Sequence, residues 1–168
     1  MEGKEKGDMK KILVVGSLNM DMVLSVDHHP VPGETIIGDG ITYHPGGKGA
    51  NQAYAVGKLG GDVRIIGCVG WDNNGMILTE NLAQAGVDTT AINRMPEAPT
   101  GMAIIDVDKK GDNSIIVISG ANACLTPDLL RKQKASVEWS DFIMTQLETP
   151  IDTVLELARM AKKADKCM

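Results

Sequence analysis

The stretch HPGGKGANQAYAVGKLGG, residues 44–61, puts Gly46, Gly47 and Gly49 at the head of a segment that otherwise reads as a helix. Each glycine inside a helix costs up to about 1 kcal/mol relative to alanine. A chain that concentrates this cost at a helix start, and sets Lys48 and Asn51 among the glycines, has some use for bare backbone there. One use is close packing of the helix against a sheet, with Lys48 pointing to solvent. A nucleotide phosphate loop is excluded by spacing, because Gly49 follows Lys48 where Ser or Thr is required. A dinucleotide G-x-G-x-x-G is excluded as well, since Gln52 occupies the place of the third glycine. The remaining use is a polyol site. Backbone N–H groups without a Cβ in the way admit a small polar ligand closely. Asn51 adds a donor and an acceptor suited to vicinal hydroxyls, and Lys48 can bind a ligand oxygen or position a carboxylate.

Outward from this segment, KILVVG (11–16), VRIIGCVG (63–70) and DFIMTQLE (141–148) read as buried strands. Helices are expected over 47–60, 74–86, 126–139 and 150–166. Gly86 serves as a C-cap, Thr126 as an N-cap followed by Pro127, and Lys162, Lys163 and Lys166 suit a negative helix end. Strands alternating with helices define an α/β, Rossmann-like doubly wound sheet. MVLSV (22–26) and TIIGDGITYH (35–44) interrupt that alternation, as do TGMAIIDVD (100–108) and NSIIVISG (113–120), which flank a KKGD hairpin turn. They predict a small β excursion from the main sheet, such as a lid. With three core strands in sight and a helix at the end, the fold reads as incomplete.

Ligands of open α/β sheets bind at the carboxyl ends of strands. Asn19 and Asp21, in GSLNMD (16–21), fall there, and so does Glu148 after the strand at 141–148. A carboxylate that accepts hydroxyl hydrogens holds a sugar. Taken alone, Asp21 reads as a turn residue, and Glu148 reads equally as a cap for the helix near Pro150.

The composition narrows the partners. A net charge of −5 and 3% aromatic residues argue against nucleic acid. No run approaches the length of apolar sequence that spans a membrane, and the start MEGKEKGDMKK is no secretory signal. Residues 1–10 read as a disordered leader and 11–168 as the folded part. Cys68, Cys124 and Cys167 lack CxxC spacing, which points to reduced thiols in a cytoplasmic protein. His28, His29 and His44 show no metal-ligand spacing and are expected at the surface.

In their order and spacing, GSLNMD, PGET (32–35), GGKGANQA (46–53), GAN (120–122) and QLE (146–148) resemble the amino-terminal half of the ribokinase/PfkB carbohydrate kinases. The likeness runs from about Lys11 to Ala164. His44-Pro45 departs from the approach to the glycines usual in that family. The resemblance implies a ribokinase-like fold truncated before the ATP-binding half, with lid strands near 22–44 and 100–118. It assigns Asn19, Asp21, Gly46, Gly47, Lys48, Asn51 and Glu148 to substrate binding, with D-ribose as the sugar and ribose 5-phosphate as the product of the parent reaction. ATP, magnesium and a monovalent cation (potassium) are implied for the complete family enzyme, with none held by this half. A homodimer through the lid strands is implied too. The family's Gly-Ala-Gly-Asp-like catalytic motif has no counterpart here, so no catalytic residue is expected and the chain alone is expected to be inactive. Two alternatives stand beside this reading: a non-catalytic sugar-binding or lid-dimerising module, and a kinase half specific for a nucleoside or another sugar.

Overall fold

The computed structural model describes residues 9–168; apart from residues 9 and 10, the expected leader lies outside them. Two four-stranded sheets form the frame. The first has the order β5-β4-β1-β8 and is parallel throughout: β1 (Lys11–Val15), β4 (Asp62–Gly70), β5 (Ile92–Met95) and β8 (Phe142–Thr145). The second has the order β3-β2-β6-β7, built from β2 (Asn19–Ser25), β3 (Gly40–Gly46), β6 (Gly101–Val107) and β7 (Asn113–Ile118). In it β2 runs antiparallel to β3 and parallel to β6, and β6–β7 is the expected hairpin.

The parallel sheet is covered on both faces, as its apolar strands require. Period-2 alternation in β1 sends Leu13 and Val15 to one side and Val14 to the other. On the first side they join Ile66, Leu125, Leu130 and Leu157, beneath α3 (Pro127–Lys132), α4 (Lys134–Trp139) and α5 (Ile151–Lys163). On the second, Val14 meets Ile65, Ala53, Leu78 and Leu82, beneath α1 (Lys48–Lys58) and α2 (Asn73–Gln84). Cys68 is fully buried in the first cluster, as its apolar run predicts. Among the described residues no helix is long and apolar enough to cross a membrane.

Several boundaries differ from the sequence reading. The core has a fourth strand, β5, a four-residue piece too short and mixed in polarity to show in the pattern. The lid strand expected over 35–44 is displaced to Gly40–Gly46, and 35–39 stay outside any strand. The helix expected over 126–139 is broken at Gln133, whose φ of −96° and ψ of 20° close α3 before α4 begins. Thr126 caps α3 as expected, accepting from the Leu129 N–H at 3.3 Å. Strand β2 starts at Asn19 rather than Met22. Asn19 and Asp21 therefore belong to the lid sheet itself, not to a loop at the end of β1.

The lid is tied down at its base by Asp72, the N-cap of α2, which accepts from Gly75 N–H at 2.8 Å. The same carboxylate accepts from Thr100 N–H at 2.8 Å and Thr100 Oγ1 at 2.6 Å. At the far end the lid is apolar and bare. Every residue of β7 is exposed, including Ile115, Ile116, Val117 and Ile118.

Candidate functional site

The glycines of 46–49 are explained first by space. A Cβ on Gly49 would stand 2.7 Å from the Gly16 carbonyl carbon and from the Ser17 nitrogen. Gly47 holds φ at +92°, and a Cβ there would come within 2.8 Å of Ser17 O. These two glycines let the start of α1 press on the Gly16–Leu18 connection between β1 and β2. The amides of residues 48–50 are engaged within the protein. The Ala50 N–H donates to Ser17 O at 2.9 Å, the Gly49 N–H to Ser17 Oγ at 3.4 Å and the Lys48 N–H to Glu148 Oε2 at 3.5 Å. Gly46 differs. A Cβ there would fall 2.1 Å from Asp21 Oδ2, so its bareness gives room to that carboxylate.

This close approach brings the polar groups together. Ser17 Oγ donates to Glu148 Oε2 at 2.6 Å, and the Lys48 ammonium pairs with Glu148 Oε1. Glu148 does not cap α5, which starts after Pro150 with no side-chain cap. Burial pushes the Glu148 carboxyl up, but the hydrogen bonds from Lys48 and Ser17 and the lysine charge outweigh it and hold the group below its ordinary value. Asp21 goes the other way. Burial raises it, the negative charge of Glu148 raises it further, and His44 opposes. His44 is the direct cross-strand neighbour of Asp21 in the β2–β3 register. Among the described residues Asp21 makes no ion pair, and a carboxylate so placed gains from a donated hydroxyl hydrogen.

Asn19 is 4% exposed and bonded through Oδ1 to Asn122 Nδ2 at 2.7 Å. Asn51 is exposed and lines a cleft of about 250 Å³ between β3, α1 and α2, together with His44, Pro45, Tyr54 and Asn81. Asp21, Lys48 and Glu148 do not line that cleft. They lie outside it, and His44, which lines it, is the cross-strand neighbour of Asp21. The surface expectation holds for His28 and His44 but not for His29, which is half-buried and bonded to Asp106.

Three contributors escaped the sequence reading. Ser17 is the hydroxyl that links α1 to Glu148. Asn122 grips the Leu18–Asn19 backbone. Gln146, bonded through Nε2 to Gln52 Oε1 at 2.6 Å, ties the end of β8 to α1. All three sit inside the quoted strings GSLNMD, GAN and QLE, and their polarity in otherwise apolar surroundings was the available signal.

A lid sheet set on a doubly wound parallel sheet, with two carboxylates and a lysine at their junction, places the chain in the carbohydrate-kinase class of α/β folds. The profile described as "pfkB family carbohydrate kinase" matches residues 9–168, and the chain belongs to that family. Over 154 residues it is 44% identical to the ribokinase of Haemophilus influenzae, covering 92% of this chain and 50% of that protein. A ribokinase structure from Thermotoga maritima is 43% identical with a TM-score of 0.83, covering 89% of this chain and 49% of that one. The Arabidopsis thaliana ribokinase complexed with ribose and ATP is 30% identical with a TM-score of 0.86, covering 94% of this chain and 52% of that one. The fold is ribokinase-like, and the chain spans about half the length of these relatives.

Proposed function

We propose that this chain supplies the sugar-holding and lid side of a ribokinase reaction, in which D-ribose and ATP give ribose 5-phosphate and ADP. The observation that carries this reading is the junction itself. Asp21 stands over Gly46, and the Lys48–Glu148–Ser17 cluster lies one helix start away. Asp21 and Glu148 accept hydroxyl hydrogens from the sugar, and Lys48 keeps Glu148 ionised while offering a donor to a ring or hydroxyl oxygen. Asn19 and Asn51 complete the grip, with Gly46 and Gly47 as its floor.

In-line phosphoryl transfer also needs a base for the sugar hydroxyl and dipoles for the transferring charge. Among the described residues no group of three or more His, Cys, Asp or Glu side chains could hold a metal ion. The first amides of α1 are engaged by Ser17 and Glu148. On this proposal the base, ATP, magnesium and potassium are supplied by the part of a complete family enzyme that this chain does not span. The bare isoleucines of β7 support pairing of two lids as a homodimer. The free thiols Cys68, Cys124 and Cys167 support a reducing, cytoplasmic setting.

A second reading, with a nucleoside or a larger sugar as substrate, is favoured by the cleft that adjoins the site at Asn51 and His44. Calorimetric titration with D-ribose, 2-deoxy-D-ribose and adenosine separates the two. Ribose binding that is lost in Asp21→Ala supports the first reading, and a preference for adenosine replaces it with the second. Formation of ribose 5-phosphate from ATP by the purified chain would show that a base lies within these residues.

A further inference from the structure

Asn122 lies in the 3-10 turn Gly120–Cys124 after β7 and is 2% exposed. Its Oδ1 accepts from the Leu18 N–H at 2.9 Å. A backbone N–H can only donate, so this bond fixes which end of the carboxamide is oxygen. The Nδ2 end then faces two acceptors, Leu18 O at 3.1 Å and Asn19 Oδ1 at 2.7 Å. The orientation passes on to Asn19. With its oxygen occupied by Asn122, Asn19 has its Nδ2 left over. That nitrogen bonds to no protein atom among the described residues, yet it is not one of the sealed, unpartnered polar atoms of the interior. It therefore keeps some access to solvent.

The surroundings keep this arrangement clear. Both cross-strand neighbours of Asn19 are glycines, Gly46 on β3 and Gly101 on β6. A Cβ on Gly101 would stand 2.2 Å from Asn122 Nδ2 and 2.4 Å from Asn19 Oδ1, on the path of their hydrogen bond. Residues two apart on a strand share a face, so Asn19 and Asp21 point the same way.

We propose that Asn122 is a positioning residue that presents Asn19 to the site as a hydrogen-bond donor, beside Asp21 as an acceptor. The pair then recognises a hydroxyl group, which can accept from Asn19 Nδ2 and donate to Asp21 at once. An ether oxygen or a hydrogen in that place leaves Asp21 without its partner. This inference rests on the sugar-holding function proposed above and adds the polarity of one of its contacts.

Two variants test it, read by calorimetry with D-ribose and by the side-chain amide resonances of ¹⁵N-labelled protein. Asn19→Asp keeps an acceptor for Asn122 Nδ2 but turns an acceptor toward the site, and at pH 8 it weakens ribose binding at least about tenfold, the scale of one hydrogen bond lost with its buried partner left unsatisfied. Asn122→Asp offers acceptors alone, so Asn19 turns its Nδ2 inward. Its Asn19 amide resonance moves from the wild-type position, and ribose affinity falls at pH 8 and recovers as the new carboxyl protonates. A merely structural loss gives no such recovery with pH. Wild-type affinity in Asn19→Asp, or an unmoved Asn19 resonance in Asn122→Asp, overturns the proposal. Failure of the wild-type chain to bind ribose instead overturns the sugar-holding function, and the Asn19 resonance still reports whether Asn122 sets the amide.

Discussion

Ser17 and Glu148, 131 residues apart in the chain, are joined by a 2.6 Å hydrogen bond between Oγ and Oε2. Ser17 also receives the Gly49 N–H and, through its carbonyl, the Ala50 N–H. One residue in the β1–β2 connection thus sets both the start of α1 and the carboxylate at the end of β8. The site is assembled by the same contacts that close the fold.

Removal of the Asp21 carboxylate lowers affinity for D-ribose by about 10- to 100-fold, the scale of a hydrogen bond to a charged group of about 1.5–3 kcal/mol. Asp21→Ala against wild type in a calorimetric titration measures this. Equal affinities would exclude Asp21 from the sugar contacts.

The two carboxylates give opposite pH dependences. Glu148 has its folded value depressed, so its stabilisation is present above the unfolded value and disappears as pH falls through the folded one. Asp21 has its folded value raised, so its contribution is present at low pH and is lost as pH rises through the folded value. Melting temperature followed from pH 3 to 8 therefore rises at neutral pH in Asp21→Asn, while Glu148→Gln lowers the neutral plateau and flattens the acid limb.

Gly49→Ala forces a Cβ against backbone atoms of Gly16 and Ser17, which cannot swing aside as the end of a side chain can. Overpacking of this kind costs about 1–3 kcal/mol, measured as a shift in the urea midpoint. Gly40→Ala, with nothing within 4 Å of its added Cβ, is the control and leaves the midpoint within about 0.5 kcal/mol of wild type.

Burial pushes the Cys68 thiol up to about 12, while Cys167 is exposed. At pH 8 a thiol reagent labels Cys167 in the native protein and leaves Cys68 unmodified until the chain is unfolded. Mass mapping of the labelled peptides checks the order.

Lid pairing is tested at Ile116, 61% exposed at the centre of β7. Ile116→Lys places a charge on a face that pairing would bury. In sedimentation velocity a wild-type dimer becomes a monomer in this variant, and the melting temperature of the monomer is unchanged.

The doubly wound core was legible because β1, β4 and β8 are apolar runs, the first two largely buried, a pattern that period and composition reveal directly. Strand β5 was not. It carries Asn93 and Arg94 and joins the sheet by pairing with β4, a tertiary effect that overrides weak local propensity. The lid was readable as an excursion, but its register was not, and the start of β2 at Asn19 follows from pairing with Gly46 and Gly101. The glycines stood out in the sequence, yet their targets did not. The partners of Gly49 lie 32 and 33 positions away, at Ser17 and Gly16, and contacts at such separations leave no local trace. Asn122 was hidden for the same reason: a buried carboxamide is recognisable once the backbone that it satisfies is known.

The chain passes between its two sheets at Gly16–Leu18, at Gly47, between Met95 and Gly101, and at Ser119–Gly120. These passages converge. Bare Cα atoms at Gly47, Gly101 and Gly120 clear the backbone of Asn19, the Asn19–Asn122 bond and the Pro99 carbonyl in turn. In mechanical terms the hinge of the lid and the floor of the site are one part. A displacement of the lid against the parallel sheet would therefore act first on the spacing of Asn19, Asp21 and Gly46.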